Sequence, residues 1–252
     1  MERIIHLSLK NYHEFQILFE NNDYAILFKP PNIPTAPLLE NEAGTLLSLF
    51  LHKRSEAKKV CGAKKKIEHG LLHRLDTATS GLVLIAKEQN AYHKLCLLQE
   101  KNCITKTYFA FCDIRSDGIL PDTILPVFIR SKFRAFGPGG KKVKAVFLDT
   151  NEAKKLKSKI YTSEIISLKK ASSKRAEVSV AITKGYRHQI RAHLSAYHIP
   201  IIGDALYNAG TAHRRLQLYA IALSFPNIDK NSDEILTYKI EAPKHILDVS
   251  DE

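Results

Sequence analysis

The segment from Leu71 to Lys87 constrains this chain more than any other, because its two halves demand different surroundings. The second half, Leu82–Ala86, is an unbroken apolar run with β-branched residues at alternate positions. Such a run predicts a strand that is buried on both faces. The first half is polar and turn-like, and it holds one carboxylate, Asp76, a few residues before Gly81. The segment therefore predicts an acid on a loop that leads into a rigid strand.

The residues around Asp76 allow two interpretations. A loop acid beside a buried strand is a common way to present a catalytic group, since the scaffold is rigid and the loop is open. Alternatively, Asp76 is satisfied by Arg74 and by the hydroxyl groups of its own turn. An arginine such as Arg191, beside the apolar stripe of a short helix, would pair with Asp76 and keep it ionised. Such salt bridges are more often structural than catalytic, so both interpretations stay open.

The rest of the chain alternates between strand-like and helix-like patterns, without a linker or an internal repeat. Strands are predicted over residues 16–20 and 24–29 as a hairpin, and over 82–86, 106–112, 143–148, 158–168, 175–182, 216–225 and 235–240. Helices are predicted over 46–51 with Thr45 as the cap, over 88–101, and over 187–197, where Arg187 and Arg191 share a neighbouring face. Residues 1–15 are predicted to be an edge strand or a lead-in. Many strands and few helices predict an α+β fold. We expect one domain over 1–252, with a core of about 16–242 and a mixed, largely antiparallel central sheet flanked by helices and loops.

The charge of the chain indicates its partner. A net charge of +12 and an isoelectric point near 9.4 favour a polyanion, most simply nucleic acid. Residues 53–66 are predicted to form a basic, solvated loop, and residues 126–145 interleave Phe128, Phe133 and Phe136 with basic groups. The second pattern fits RNA contact by phosphate pairing and base stacking, and a glycine-rich hairpin is the equal alternative.

No run is long enough to span a membrane and no signal-peptide core is present, so we expect a cytoplasmic protein.

Other catalytic patterns are incomplete. The four cysteines form no C-x-x-C pair, so neither disulfides nor a zinc site is indicated. His188, His193 and His198 are spaced by five, whereas histidines four apart would share a helical face, so no metal site is predicted. Ser80 lacks the G-x-S-x-G surroundings of a nucleophile elbow, and residues 137–142 lack the spacing of a P-loop.

Five segments, taken in order, resemble the motifs of the RluA-type pseudouridine synthases. The signature is His73–Gly81, followed by the apolar strand and Ala86-Lys87. The other segments are Phe28-Lys29-Pro30, Lys106-Thr107-Tyr108, Gly185–Leu194 with Ile199–Tyr207, and Leu216–Ala220 with Leu223–Phe225. The resemblance covers roughly residues 17–242, and an ordered set of motifs is far more specific than any one of them.

The resemblance implies an RNA-modifying isomerase that converts specific uridines of ribosomal or transfer RNA into pseudouridine. It implies Asp76 as the catalytic carboxylate, Arg191 as its pairing partner, and Tyr108 as a stacking group that helps to deprotonate C5. It further implies RNA or base contacts by Lys29, His73, Arg74, Thr79, Arg187, His188 and Gln189, with Arg74 filling the space that the flipped base leaves. No cofactor or metal is expected, because the reaction involves no redox change or phosphate transfer. We expect a monomer without the separate N-terminal RNA-binding domain of many relatives.

The chain departs from the family pattern at three places. Tyr186 follows the glycine of the third motif where arginine is usual, Tyr219 replaces a usual histidine, and the glycine that often follows Lys-Pro is missing from Pro30-Pro31-Asn32-Ile33. These changes put substrate contacts in doubt rather than the reaction. An RNA-binding assembly factor without catalysis would share the charge and the fold, and a metal-dependent nuclease is a third possibility.

Overall fold

The computed structural model describes residues 1–40, 42–62, 65–115, 124–229 and 232–246. The strands are β1 (Glu2–His6), β2 (Gln16–Glu20), β3 (Tyr24–Lys29), β4 (Ser80–Ala86), β5 (Thr105–Asp113), β6 (Val127–Phe136), β7 (Lys142–Phe147), β8 (Tyr161–Ser172), β9 (Arg175–Ile182), β10 (Leu218–Pro226) and β11 (Ile235–Lys239). The α-helices are α1 (Leu46–Lys53), α2 (Gln89–Glu100), α3 (Asn151–Lys155) and α4 (Gln189–Ala196). Short 3₁₀ helices span Ser55–Lys59, Lys66–Glu68, Pro138–Gly140 and Ala209–Thr211.

The first of two compact units comprises Met1–Lys106 and Tyr219–Ala242. Its strands lie in the order β2-β3-β4-β10, and β11 pairs with both β10 and β1. The β2–β3, β3–β4 and β10–β11 pairs are antiparallel, whereas β4–β10 and β1–β11 are parallel. Every residue of β3 and β4 is buried, as the apolar run at 82–86 predicts. The core of this unit is thus built around the strand that follows Asp76.

The second unit comprises Thr107–Leu218 and the described residues from Pro243 onward. Its strands lie in the order β5-β9-β8-β6-β7, and β9, β8, β6 and β7 are antiparallel neighbours. Helix α4 packs on β7 and β8, and its Ala192 joins a buried cluster with Phe133, Val143 and Ala145. Helix α3 packs on the same strand β7.

These strands and helices confirm the predicted α+β class with a mixed, largely antiparallel sheet. The helix at 46–51 is confirmed with its cap: the Thr45 side chain accepts from the Ser48 N–H, and the Ser48 hydroxyl accepts from the Thr45 N–H. The extent of the single predicted domain stays a prediction. Among the described residues no helix is long and apolar enough to cross a membrane.

Two local predictions are wrong. The helix predicted from Arg187 begins only at Gln189, because His188 has a left-handed backbone (φ 55°) that the helix cannot continue. Arg187 is exposed before the helix and Arg191 is buried on it, so the two do not share a face. The predicted loop at 53–66 contains the 3₁₀ helix Ser55–Lys59, which is anchored by buried Ala57 and Val60, and a second 3₁₀ helix begins at its last residue, Lys66. Lys64 of that segment lies outside the described residues.

His193 of α4 is buried between two serines in the second unit. Its Nε2 lies 2.8 Å from Ser131 Oγ, and its Nδ1 lies 2.8 Å from Ser163 Oγ. Burial disfavours the charged imidazolium and lowers the pKa of His193 to about 3. The ring is therefore neutral in the folded protein at physiological pH.

This burial predicts a loss of stability in acid. Between the ordinary histidine pKa of about 6.5 and the folded value, the unfolded chain binds a proton that the folded chain excludes. Stability should therefore fall by about 1.4 kcal/mol per pH unit for this residue as the pH drops through that window. His193→Gln should remove that slope in urea unfolding curves measured from pH 7 to pH 4. An unchanged slope in the variant would contradict the assignment.

Candidate active site

Asp76 lies half-buried on the loop that enters β4. The loop follows an isolated bridge between Leu71 and Ile85, and it turns where the Thr79 N–H donates to the Asp76 carbonyl oxygen at 3.0 Å. The strand begins with Gly81 at φ 127°, where a Cβ atom would lie 2.3 Å from the carbonyl oxygen of Ala220 on β10. Only glycine permits this approach of the two strands. The position of the acid is therefore set by the packing of β4 on β10.

Lys29 has a different role from the RNA contact that was predicted. Its side chain is 0% exposed, and Nζ donates to the carbonyl oxygens of Pro30 (2.8 Å), Ile33 (2.9 Å) and Thr77 (2.9 Å). A buried ammonium needs such acceptors because it has lost its hydration. The Thr77 bond ties the Lys-Pro segment to the residue after Asp76. The prediction that Lys29 contacts RNA is corrected, since phosphates cannot reach it.

His73 and Arg74, the two basic residues before Asp76, lie in different surroundings: the His73 ring faces the interior, and Arg74 is on the surface. The Nε2 atom of His73 accepts from the Leu84 N–H at 3.2 Å, and Nδ1 is buried without a hydrogen-bond partner. Burial, together with the charge of Lys106, lowers the pKa of His73 to about 3. His73 therefore supports the loop as a neutral ring, and its predicted RNA contact stays a prediction. Arg74 is exposed and pairs with Glu68 at 3.2 Å, so the alternative in which Arg74 satisfies Asp76 is wrong.

Arg191 is held by a bidentate pair inside the second unit. Its Nε and Nη2 donate to the two carboxylate oxygens of Asp204 at 2.7 and 2.8 Å, and its guanidinium lies 5.4 Å from the centre of the Tyr207 ring. Asp204 Oδ1 also accepts from the N–H groups of Leu206 and Tyr207. Such a fork fixes both the position and the plane of the guanidinium. The pairing of Arg191 with Asp76 stays a prediction.

The residues before α4 hold a neighbouring hairpin. Arg187 donates to the carbonyl oxygens of Gly140 and Lys142 at the tip between β6 and β7. Gln189 is buried; its Nε2 donates to Thr162 O and Ser163 Oγ. The predicted RNA contact of Gln189 is therefore corrected to a structural one.

The remaining predicted site residues are placed as follows. The Nδ1 atom of His188 lies 3.3 Å from the Tyr207 hydroxyl, Tyr108 is a largely buried residue of β5, and the Thr79 side chain is 2% exposed beside the Asp76 turn. Their contacts with RNA stay predictions. Two of the three departures from the family pattern are packed: Tyr186 stacks on Phe133 with ring centres 5.0 Å apart, and Tyr219 is fully buried and makes a T-shaped contact with the ring of Tyr12.

Strand β6 exposes only some of the residues that were predicted to contact RNA in the segment 126–145. Phe133 is 2% exposed and cannot stack on a base, whereas Phe128 (56%) and Phe136 (46%) are accessible. The predicted hairpin is confirmed, with Pro138–Gly140 at its tip, and RNA contact by the accessible residues stays a prediction. The aromatic and basic residues at even positions of β6 share its outer face, as strand alternation requires.

Several basic side chains of the two predicted RNA segments are already engaged. Arg134 and Lys144 share Glu152, and Lys132 donates to carbonyl oxygens at the end of α3. Arg54 makes three hydrogen bonds with the carboxylate of Glu20. Within the described residues of these two segments, the exposed lysines and arginines without a carboxylate partner are Lys53, Lys58, Lys59, Lys65, Lys66, Arg130 and Lys141.

No group of three or more His, Cys, Asp or Glu within the described ranges is arranged to hold a metal. His193 uses both ring nitrogens on serines, and the four cysteines are free thiols. Ser80 is buried at the start of β4, where it cannot serve as an accessible nucleophile.

The sequence interpretation missed Asp204 as the partner of Arg191, and Tyr207 as a connector. The Tyr207 hydroxyl accepts from the Val143 N–H and donates to the Val143 carbonyl oxygen, which joins the segment after α4 to β7. One signal was available: a buried arginine requires an acid, and Asp204 directly follows the apolar Ile201-Ile202-Gly203.

Comparison with known proteins gives the class. The model of the family described as RNA pseudouridylate synthase matches residues 23–196. The chain belongs to this family, which confirms the resemblance seen in its motifs. The human RNA Pseudouridylate Synthase Domain Containing 1 and Domain Containing 4 share its fold, with TM-scores of 0.63 and 0.62 at 19% and 18% identity. These alignments cover 88% and 90% of this chain, and 82% and 88% of the human chains.

Among curated relatives, the uncharacterized RNA pseudouridine synthase YhcT of Bacillus subtilis (strain 168) is 29% identical over 81% of this chain. An uncharacterized RNA pseudouridine synthase of Helicobacter pylori (strain ATCC 700392 / 26695) is 28% identical over 93% of it. Ribosomal large subunit pseudouridine synthase D of Buchnera aphidicola subsp. Schizaphis graminum (strain Sg) is 28% identical over 75% of it. The matched parts span 61%, 68% and 53% of those proteins, respectively.

The new role of Lys29 can be tested directly. Lys29→Met removes a donor from three carbonyl oxygens, and it should lower the free energy of unfolding by roughly 2–4 kcal/mol. Because Lys29 is buried, the salt dependence of RNA binding should not change. Urea unfolding and binding titrations in increasing salt measure the two effects.

The matched control is Lys58→Met, which removes an exposed lysine of the same unit and should leave stability nearly unchanged. A Lys29→Met protein of normal stability with a weaker salt dependence would restore the RNA-contact role.

Proposed function

We propose that this protein isomerises specific uridines of structured RNA, ribosomal or transfer, to pseudouridine, with Asp76 as the catalytic carboxylate. The observation that carries the proposal is the placement of Asp76. Asp76 is a half-exposed acid on a loop, and Lys29 fixes the backbone of the following residue, Thr77. Asp76 also lies within the residues that match the family model. A fixed carboxylate that remains accessible is what a reaction at a flipped base requires.

The reaction breaks the C1′–N1 bond and forms a C1′–C5 bond, while the proton on C5 is lost and N1 gains one. Asp76 would attack C1′, attack C6 of the base, or remove a proton from C2′; each route needs an ionised carboxylate. Arg191 would supply the charge that keeps it ionised, and Asp204 would hold the Arg191 guanidinium in a fixed plane. Tyr108 would stack on the uracil and assist loss of the C5 proton.

RNA binding would depend on the exposed basic side chains. Arg130, Phe128 and Phe136 lie on the outer face of β6, and Lys141 lies at the tip of the hairpin. Cations there would bind the RNA backbone and the aromatic rings would accept unstacked bases. We propose that the protein acts as a cytoplasmic monomer and needs no cofactor, since the isomerisation is redox-neutral.

The catalytic role is tested with RNA that carries tritium at C5 of uridine. Wild-type protein should release tritium to water from RNA of cells that lack the protein, and Asp76→Asn should reduce release to background. Asp23→Asn is the matched control, because Asp23 is also a half-buried acid on a loop of the same unit. Thermal unfolding of both variants checks that they fold.

Each alternative has its own outcome. RNA binding without tritium release from any RNA pool would favour the assembly factor over the enzyme. RNA cleavage that EDTA abolishes would favour the nuclease. Wild-type release rates in Asp76→Asn would remove Asp76 from the reaction.

The RNA surface is tested by charge removal. Arg130→Gln combined with Lys141→Gln should lower the slope of log affinity against log salt by about 1.5, since each lost phosphate contact removes about 0.7–0.9. The control, Arg3→Gln combined with Lys10→Gln, also removes one arginine and one lysine, but from exposed positions of the first unit. It should keep the wild-type slope. Equal slopes for both double variants and the wild type would exclude the β6–β7 hairpin from the RNA interface.

A further inference from the structure

Thr35 makes an unusual pair of hydrogen bonds with the residue before Asp76. Its hydroxyl donates to the Leu75 carbonyl oxygen at 2.8 Å and accepts from the Leu75 N–H at 3.0 Å. The side chain is 3% exposed, so water does not compete for either bond. One buried hydroxyl thus satisfies both backbone groups of Leu75, as a neighbouring strand would.

Thr35 is itself fixed on its other side by α1. The Leu47 N–H donates to the Thr35 carbonyl oxygen at 3.1 Å, and the Leu46 N–H donates to Pro34 O at 2.9 Å. These are amide groups of the first turn of the helix, which need partners from outside it. The contact therefore links a regular helix to the Asp76 loop through a single side chain.

The loop around Asp76 is held on both sides. The carbonyl oxygens of Leu75, Asp76 and Thr77 accept in turn from Thr35, from the Thr79 N–H and from Lys29. Both side-chain donors come from the segment 29–35, which contains three prolines and is stiff as a result. Backbone fixed at three successive residues leaves the Asp76 side chain little freedom to shift.

We infer that Thr35 is a positioning residue for Asp76, which holds the catalytic carboxylate by fixing the backbone of Leu75. The inference rests on the proposed function for its kinetic consequence. A displacement of about 1 Å of a reacting group costs roughly a hundredfold in rate. RNA binding, which depends on exposed groups elsewhere, would not require Thr35.

The test compares Thr35→Val with Thr35→Ser. Valine keeps the shape and removes both hydrogen bonds, and serine keeps the hydroxyl. In tritium release, Thr35→Val should lower kcat by roughly 10-fold to 100-fold with the RNA affinity unchanged. Thr35→Ser should recover most of the loss. Amide hydrogen exchange at Leu75 and Thr79 should accelerate in the valine variant only.

Thr237→Val is the matched control, because Thr237 is also a buried threonine of the same unit, and its hydroxyl is hydrogen-bonded to Glu2 and Ser224 instead of to the Asp76 loop or α1. It should lower the melting temperature and keep kcat. Equal losses of kcat in Thr35→Val and Thr237→Val would overturn the inference in favour of general destabilisation, as would a normal kcat in Thr35→Val.

The inference and the proposed function can fail separately. A wild-type protein that releases no tritium would refute the proposed function. Hydrogen exchange would then decide the positioning role alone: faster exchange at Thr79 in Thr35→Val supports it, and retained protection at both amides overturns it.

Discussion

The buried ammonium of Lys29 is the interaction on which the Asp76 loop most depends. A cation without water must be surrounded by acceptors, and here two loops supply carbonyl oxygens to it. The requirement acts on the backbone, because the carbonyl groups of Ile33 and Thr77 must point inward for the fold to be stable. The chain thus gains a defined loop geometry where apolar packing alone would leave several.

In the second unit a buried cation, Arg191, likewise orders the backbone around it through the groups that accept its hydrogen bonds. Arg191 is buried on α4, and Asp204 satisfies it through both carboxylate oxygens while also accepting from the amides of the turn that carries Tyr207. The ion pair therefore orders a turn as well as a guanidinium. In each unit, a predicted site residue is held by polar contacts that local packing does not require, which is typical of sites that need one geometry.

What the sequence predicted correctly was local. The apolar run at 82–86 and the Thr45 cap depend on neighbouring residues, and both are present in the structure. Lys29 and Gln189 were assigned to RNA because their motif is visible in the sequence and their burial is not. Asp204, which pairs with Arg191, lies 13 residues further along the chain, beyond the end of the helix, so the pairing is not evident from the local pattern around Arg191. One left-handed residue, His188, was enough to shift the start of α4.

The net charge of the chain overstates what is available to RNA. Arg54 is neutralised by Glu20, and Arg134 shares Glu152 with Lys144, so the charges of these cations are already balanced within the protein. Exposed surface ion pairs contribute little to stability, and their main effect here is to reduce the local positive potential. A cation that has no carboxylate partner among the described residues and lies beside an exposed aromatic ring, as Arg130 does beside Phe128, is therefore a more specific argument for the proposed RNA contact than the total of +12 is.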